Sequence, residues 1–395
     1  MTPPRQLLHS ARSFACAALA AVVLPHAADG QRQPTQDYLV YVASESSDRI
    51  TLVRFGPGGS RIDHDIQTGI MPADVDGPHG LAVSPDKRFY YVTTAHGTPF
   101  GMLWKYTTDR DSLVATVPLG MFPATMQVSP DGEFVYVVNF NLHGDMVPSS
   151  VSVVAAGEMV EVARIRTCTM PHGSRINAQG TRQYSACMMD DMAVEIDTRT
   201  FAVSRHFMLA AGKEHGETGP PHGAMAAGGL PGAQGGAHQT GSHHAREVSC
   251  SPTWAQPSPD GARLYVACNK SNDIVELDVA GWKLVRRIPA GDGVYNLGTT
   301  SDGRLLIATN KRGQSVSVFD TKSGKELARI PTKRKVVHGV AISPDDRYAF
   351  ISVEGVGAEP GTVEIIDLQA LQTVARVDVG QQAGGIDFFK VEAAK

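Results

Sequence analysis

The sequence predicts an all-β protein: a seven-bladed β-propeller of four-stranded antiparallel blades, its ring closed by N- and C-terminal strands sharing one blade. Three observations predict it. A turn phrase recurs, as Ser84-Pro85-Asp86-Lys87, Ser129-Pro130-Asp131-Gly132, Ser258-Pro259-Asp260-Gly261 and Ser343-Pro344-Asp345-Asp346, with weaker copies ending at Gly180 and Gly303. The repeats are mostly about 45 residues long, which marks a propeller or solenoid. The two ends of the chain are incomplete in complementary ways.

Each repeat reads as four strands. A first strand ends in the turn, where Pro presets φ and Gly tolerates φ > 0. A second strand alternates with period two, as in Tyr91-Val92-Thr93-Thr94 or Tyr136-Val137-Val138-Asn139. A third ends in Asp197, Asp278, Asp320 or Asp367, read as turn residues that cap their own backbone. A fourth returns, as in Leu284-Val285-Arg286-Arg287-Ile288. Six turns are present; strands from Tyr38 and Ile50 lack a first strand, and 385–390 is a first strand lacking the rest. Six blades plus one shared blade make seven, and sharing removes open sheet edges.

Residues 1–30 read as a secretory signal peptide: Arg5 and Arg12, a short apolar run over 13–24, then small residues offering cleavage after Ala28 or Gly30. Residues 31–395 form one propeller domain in this reading. A periplasmic or extracellular protein is expected. The apolar run is too short to span a bilayer, and no later stretch is long enough. A net charge of −4 favours neither nucleic acid nor an anionic membrane as partner. One interval breaks the spacing. Residues 211–247 are rich in Gly, Pro, Ala and His, and are expected to be flexible, with His215, His222, His238, His243 and His244 in a solvated loop or gathering metal weakly.

Tyr-Val-x-Asn following Ser-Pro-Asp-Gly resembles the YVTN repeat of seven-bladed propellers, over roughly 38–390. The resemblance is specific for fold and not for function. It implies that ligands sit at the mouth of the central channel, on the face opposite the Ser-Pro-Asp-Gly turns, where the long insertion also emerges.

The position eight residues before the turn residue is His79, Ala124, His172, Thr253, Tyr295 and His338, with Gln382 assigned to it in the closing strand. Equivalent positions should gather around the axis. The expected ligand-binding face is His79, His96, His143, Tyr295 and Gln382. His79, His172 and His338 read either as structural or ligand-contacting groups, or as axial metal ligands, since neutral imidazole suits copper. The chain resembles, at that level only, the propeller domains of copper-dependent nitrous oxide reductase and haem-dependent nitrite reductase. It has too few axial histidines for a multinuclear copper centre.

Cys187 and Cys268 lie seven residues after their turn Gly; Cys168 and Cys250 precede first strands. Pairing about the turn should set Cys187 opposite His172 and Cys268 opposite Thr253, which predicts two intra-blade disulfides, Cys168–Cys187 and Cys250–Cys268. The competing reading is a soft copper site of Cys187 and His172 with nearby Met188, Met189, Asp190 and Asp191.

There is no haem-attachment motif, Gly-x-Ser-x-Gly elbow, nucleotide-binding glycine pattern or His-Glu-x-x-His, and no constellation marking a lactonase. No catalytic residue is singled out. The expected function is a cofactor-free module binding a small-molecule or protein ligand at the channel mouth. The alternatives are a copper-binding protein or copper-dependent oxidoreductase, and a cofactor-free subunit of a periplasmic redox complex.

Overall fold

Seven antiparallel sheets follow one another along the chain in a computed structural model that describes Met1 and residues 33–70, 75–95, 101–221 and 248–394. Blade 1 has the order Ala383–Ala393, Gln36–Ser44, Arg49–Gly56, Gly59–Gln67, so its innermost strand comes from the C-terminus and the other three from the N-terminal side. Blades 2 to 7 occupy residues 78–118, 123–169, 171–218, 252–289, 294–331 and 337–379. The prediction of seven blades and a shared closing blade holds. Among the described residues no helix is long and apolar enough to cross a membrane.

The repeated turn forms for a local reason. Ser84 Oγ donates to Asp86 Oδ1 (2.6 Å) and accepts from the Phe89 amide (3.0 Å). Ser258 and Ser343 repeat the arrangement with Asp260 and Asp345. The turn residue takes the left-handed conformation, from φ 57° at Asp346 to 79° at Gly132. Asp197, Asp278, Asp320 and Asp367 accept backbone amides two or three residues on, as turn residues do.

The core is divided between the blades. Val40, Val42, Phe55, Phe350, Val363 and Phe388 fill the seam of blades 7 and 1; Tyr184, Phe207, Leu264, Val266 and Trp282 fill that of blades 4 and 5. Each such side chain contributes about 1.5–3 kcal/mol on burial. Many small cores let a chain of this length fold without one large one.

The ring is also sewn by hydrogen bonds at one level. The carbonyls of Ala124, His172, Thr253, Tyr295, His338 and Gly384 each accept a bond from the preceding blade. The donors are Thr93 Oγ1, Thr125 Oγ1, His172 Nδ1, Thr253 Oγ1, Thr309 Oγ1 and Ser352 Oγ.

The structure corrects three expectations. Gln382 is not the closing strand's equivalent of His79. Ala383 pairs with Ser44 as Pro171 pairs with Cys187, so the equivalent residue is Gly384; Gln382 takes φ 56°, the left-handed conformation of Phe122 and Met170 just before their strands. The two expected disulfides form, but Cys168 lies in the outermost strand of blade 3, Val160–Thr169, so its bond to Cys187 joins two blades. Both Cys187 and Cys268 face prolines, Pro171 and Pro252, one residue from the partners expected, because each first strand is irregular at its start. The third correction concerns 211–247. His215–Thr218 forms a fifth strand on blade 4, antiparallel to Ala202–Met208, leading away from the channel mouth along the blade's outer edge. The sheet edge supplies the order that the segment's composition lacks. Residues 222–247, with His222, His238, His243 and His244, lie outside the described residues, as do 2–32, which hold the expected signal peptide.

Candidate functional site

Two sets of equivalent residues build the channel mouth. The first is the second residue of each innermost strand: Gly384, His79, Ala124, His172, Thr253, Tyr295 and His338 in blades 1 to 7. The second is the residue after each second strand: Glu45, Ala95, Phe140, Met188, Asn269, Lys311 and Glu354.

The three histidines do converge. The His79 and His338 ring centroids are 5.8 Å apart. Tyr295 bridges His338 and His172, at 4.9 Å and 5.3 Å. His172 is spent within the fold. Its Nδ1 donates to the Thr253 carbonyl at 3.0 Å, which leaves Nε2 as the acceptor of the Tyr295 hydroxyl at 2.9 Å. Burial pushes His172 down to about 3, so it is a neutral rivet between blades 4 and 5. Burial, then Lys311 and the other two histidines, push His338 well below its ordinary value.

His79 and His338 differ from His172. His79 Nδ1 lies 2.7 Å from Glu45 Oε2, and His338 Nε2 lies 3.7 Å from Glu354 Oε1. His79 Nε2 is buried without a hydrogen-bond partner, whereas the His338 ring also bonds the Gly384 backbone of the next blade. Lys311 Nζ sits 3.0 Å from Glu354 Oε1 and 4.3 Å over the Tyr295 ring. Burial opposes the charge on Lys311, but Tyr295 and Glu354 outweigh it and hold the ammonium above its ordinary value. Burial in turn raises Tyr295.

The mouth is two-sided. Blades 1, 2, 6 and 7 supply Glu45, His79, Tyr295, Lys311, His338 and Glu354. Blades 3 and 4 supply an apolar half: Phe122, Phe140 and Met170, with Met121, Met188 and Met189 packed on them. His143 is an exposed residue of this half, its ring 5.4 Å from Phe122. Gln382 lies at the rim, its backbone carbonyl accepting the Glu45 amide. His96 lies outside the described residues.

The proposed soft copper set is not assembled. Cys187 is oxidised to a disulfide and has no thiolate to offer; Met188 and Met189 belong to the apolar cluster; His172 has both nitrogens engaged. Among the described residues no three His, Cys, Asp or Glu side chains gather as a metal site. His215 lies on the added strand, 2.9 Å from Glu217.

Sequence reasoning missed Glu45, Lys311, Glu354 and Gly384. The residue after every second strand carried the signal, since reading it across all repeats brings out three charged groups at one level.

No protein-family profile and no curated protein matches this chain. Solved structures do match, as propellers. A chain of Kuenenia stuttgartiensis hydrazine synthase is 21% identical with a TM-score of 0.59, covering 80% of this chain and 91% of that one. The periplasmic gluconolactonase of Pseudomonas aeruginosa is 17% identical with a TM-score of 0.64, covering 91% and 100%. A protein of unknown function from Desulfotomaculum acetoxidans is 14% identical with a TM-score of 0.64, covering 89% and 98%. These similarities define the class: a seven-bladed propeller.

Proposed function

We propose that this chain is an extracytoplasmic propeller of the YVTN type that binds a small polar organic ligand at the two-sided channel mouth. The observation that carries the reading is Lys311. Its ammonium is held charged against Tyr295 and Glu354 at the axis, beside an apolar wall of Phe122 and Phe140. Ligand sites are mostly apolar surfaces with a few convergent polar groups, and this mouth has both. Two disulfides support an oxidising compartment. One neighbour is a periplasmic gluconolactonase, so gluconate and gluconolactone are the first molecules to titrate.

The test is calorimetric titration of the intact protein with these two compounds, repeated with Lys311→Met and Tyr295→Phe. Saturable binding weakened tenfold or more by Lys311→Met supports the reading. Binding equal in wild type and both variants places the ligand elsewhere and overturns it.

A copper-binding role is the second reading, and one observation favours it. Glu45 on His79 Nδ1 orients Nε2 as an open lone pair, the way carboxylates orient metal-bound imidazoles. Of the expected ligands, His79 has the open nitrogen. Copper loading, dialysis and metal analysis test it; His79→Phe abolishes stoichiometric copper if the reading is right.

A further inference from the structure

Three buried polar atoms without partners belong to residues around one chamber. They are His79 Nε2, Trp254 Nε1 and Asn296 Oδ1. These residues and His338 line a cavity of about 30 Å³ in the channel, which runs from the level of His79 to three residues further along the innermost strands. Thr125, Leu81, Met126, Ile386 and Arg175 complete its wall, with glycines 80, 339, 384 and 385 where side chains would intrude. Trp254, His338 and Asn296 are at most 4% exposed.

Each orphaned polar atom costs roughly 1–3 kcal/mol unless something answers it. Three orphans around one space are a recognition pattern. A chamber needs roughly 10–15 Å³ to admit one water, so this one takes a guest of one or two heavy atoms. The guest must accept as well as donate. Trp254 Nε1 carries only a hydrogen and Asn296 Oδ1 only lone pairs. His79 gives its Nδ1 hydrogen to Glu45, so its Nε2 also needs a donor.

We infer that the chamber is a built site for a water-sized neutral donor–acceptor molecule, occupied in solution by one or two long-lived waters, and is not a metal site. A metal ion meets one requirement and fails two. It would suit the His79 nitrogen, but the indole N–H cannot ligate, and the Arg175 guanidinium lines the same wall, 4.4 Å over the Trp254 ring. An apolar gas would leave all three atoms unanswered. The waters fix His79 from the channel side while Glu45 holds it from the mouth, so the face offered to ligand is rigid. This inference does not depend on whether an organic ligand binds at the mouth, and it excludes the copper reading, which uses the same His79 nitrogen.

A crystal structure at 1.2 Å or better tests it, with data collected above and below the copper and zinc edges and a second crystal pressurised with xenon. The expected result is one or two peaks within hydrogen-bond distance of at least two of the three atoms, with no anomalous signal and no xenon. In solution, oxygen-17 relaxation dispersion should detect the same waters. A peak with copper or zinc signal overturns the inference in favour of the metal reading. Xenon in the chamber, or no peak at all, overturns it outright. Failure of gluconate to bind at the mouth changes none of these outcomes.

Discussion

Arg54 and Glu392, 338 residues apart, meet at 2.6 Å inside the closing blade. The same guanidinium reaches Asp37 at 2.9 Å and Asp63 at 2.7 Å. One buried arginine thus bonds to all three other strands of blade 1, including the C-terminal one. Arg54 and Asp37 are each 2% exposed. Removing one member of a buried pair leaves the other charge uncompensated, at a cost of about 3–5 kcal/mol. Arg54→Ala should therefore lower the thermal midpoint by roughly 4–7 °C and speed proteolysis at both termini. If calorimetry shows the variant melting with the wild type, the arginine is not the clasp.

The same clasp gives acid sensitivity a direction. The Arg54 hydrogen bond holds Glu392 down to about 2, and Asp63 is also depressed. A carboxylate depressed in the folded state adds stability that is fully present above its unfolded value near 4.5, and is lost as pH falls toward 2. His172 adds to the slope from the other side. It stays neutral in the fold down to about 3, whereas the unfolded chain takes up that proton near 6.5. Urea midpoints should thus fall steadily from pH 6.5 to 3. His172→Gln should reduce the slope across the whole interval from pH 6.5 to 3, and Glu392→Gln only below about pH 4.5. Parallel curves for wild type and both variants would contradict the assignment.

The blade count and the turns were legible in the sequence because their chemistry is local. A Ser hydroxyl, a Pro φ and an Asp carboxylate within four residues make the turn whatever surrounds it. The closing strand was legible only in outline, because Ala383–Ala393 has no such turn after it and carries a register shift against Gln36–Ser44. That is why Gln382 was placed where Gly384 stands. The cysteine pairing followed from equivalence between repeats, but the blade owning Cys168 did not, since a fourth strand and a crossover look alike in sequence. His215–Thr218 contains few residues that favour strands; the exposed edge of blade 4 recruits it. Lys311, Glu45 and Glu354 were invisible singly, because a charged residue after a strand ordinarily means solvent.

The slot filled by Cys187 and Cys268 has one task done by two chemistries. In blade 3 the slot holds Asn139, whose Oδ1 accepts the Gly120 amide of the incoming crossover. In blade 4 the end of the preceding blade's outermost strand, and in blade 5 the crossover, is held covalently. Separations of 19 and 18 residues correspond to about 3 kcal/mol each in the loop-entropy account. Native protein should show no reactive thiol among these four cysteines, and Cys168→Ser/Cys187→Asn should lose less stability than Cys168→Ser/Cys187→Ala. Equal losses, read from urea midpoints, would deny the slot its crossover-binding role.

Gly384 and Gly385 are neighbours with opposite tolerances. A methyl at 384 would meet nothing nearer than His338 Cε1 at 3.7 Å, an ordinary contact. A methyl at 385 would stand 2.4 Å from the His79 carbonyl oxygen and 3.0 Å from the Leu81 amide, both backbone of the adjoining blade. Backbone cannot rotate away, so blades 1 and 2 would have to part. Gly385→Ala should cost about 1–3 kcal/mol, while Gly384→Ala should stay within about 0.5 kcal/mol of wild type. The contrast depends on the two-residue register correction. In the uncorrected register, with Gln382 beside the imidazoles, Gly384 and Gly385 both lie deeper in the strand and neither is singled out. Thermal melts of the two variants decide it. A Gly384→Ala protein as unstable as Gly385→Ala would mean that the closing strand does not present Gly384 to the histidine pair.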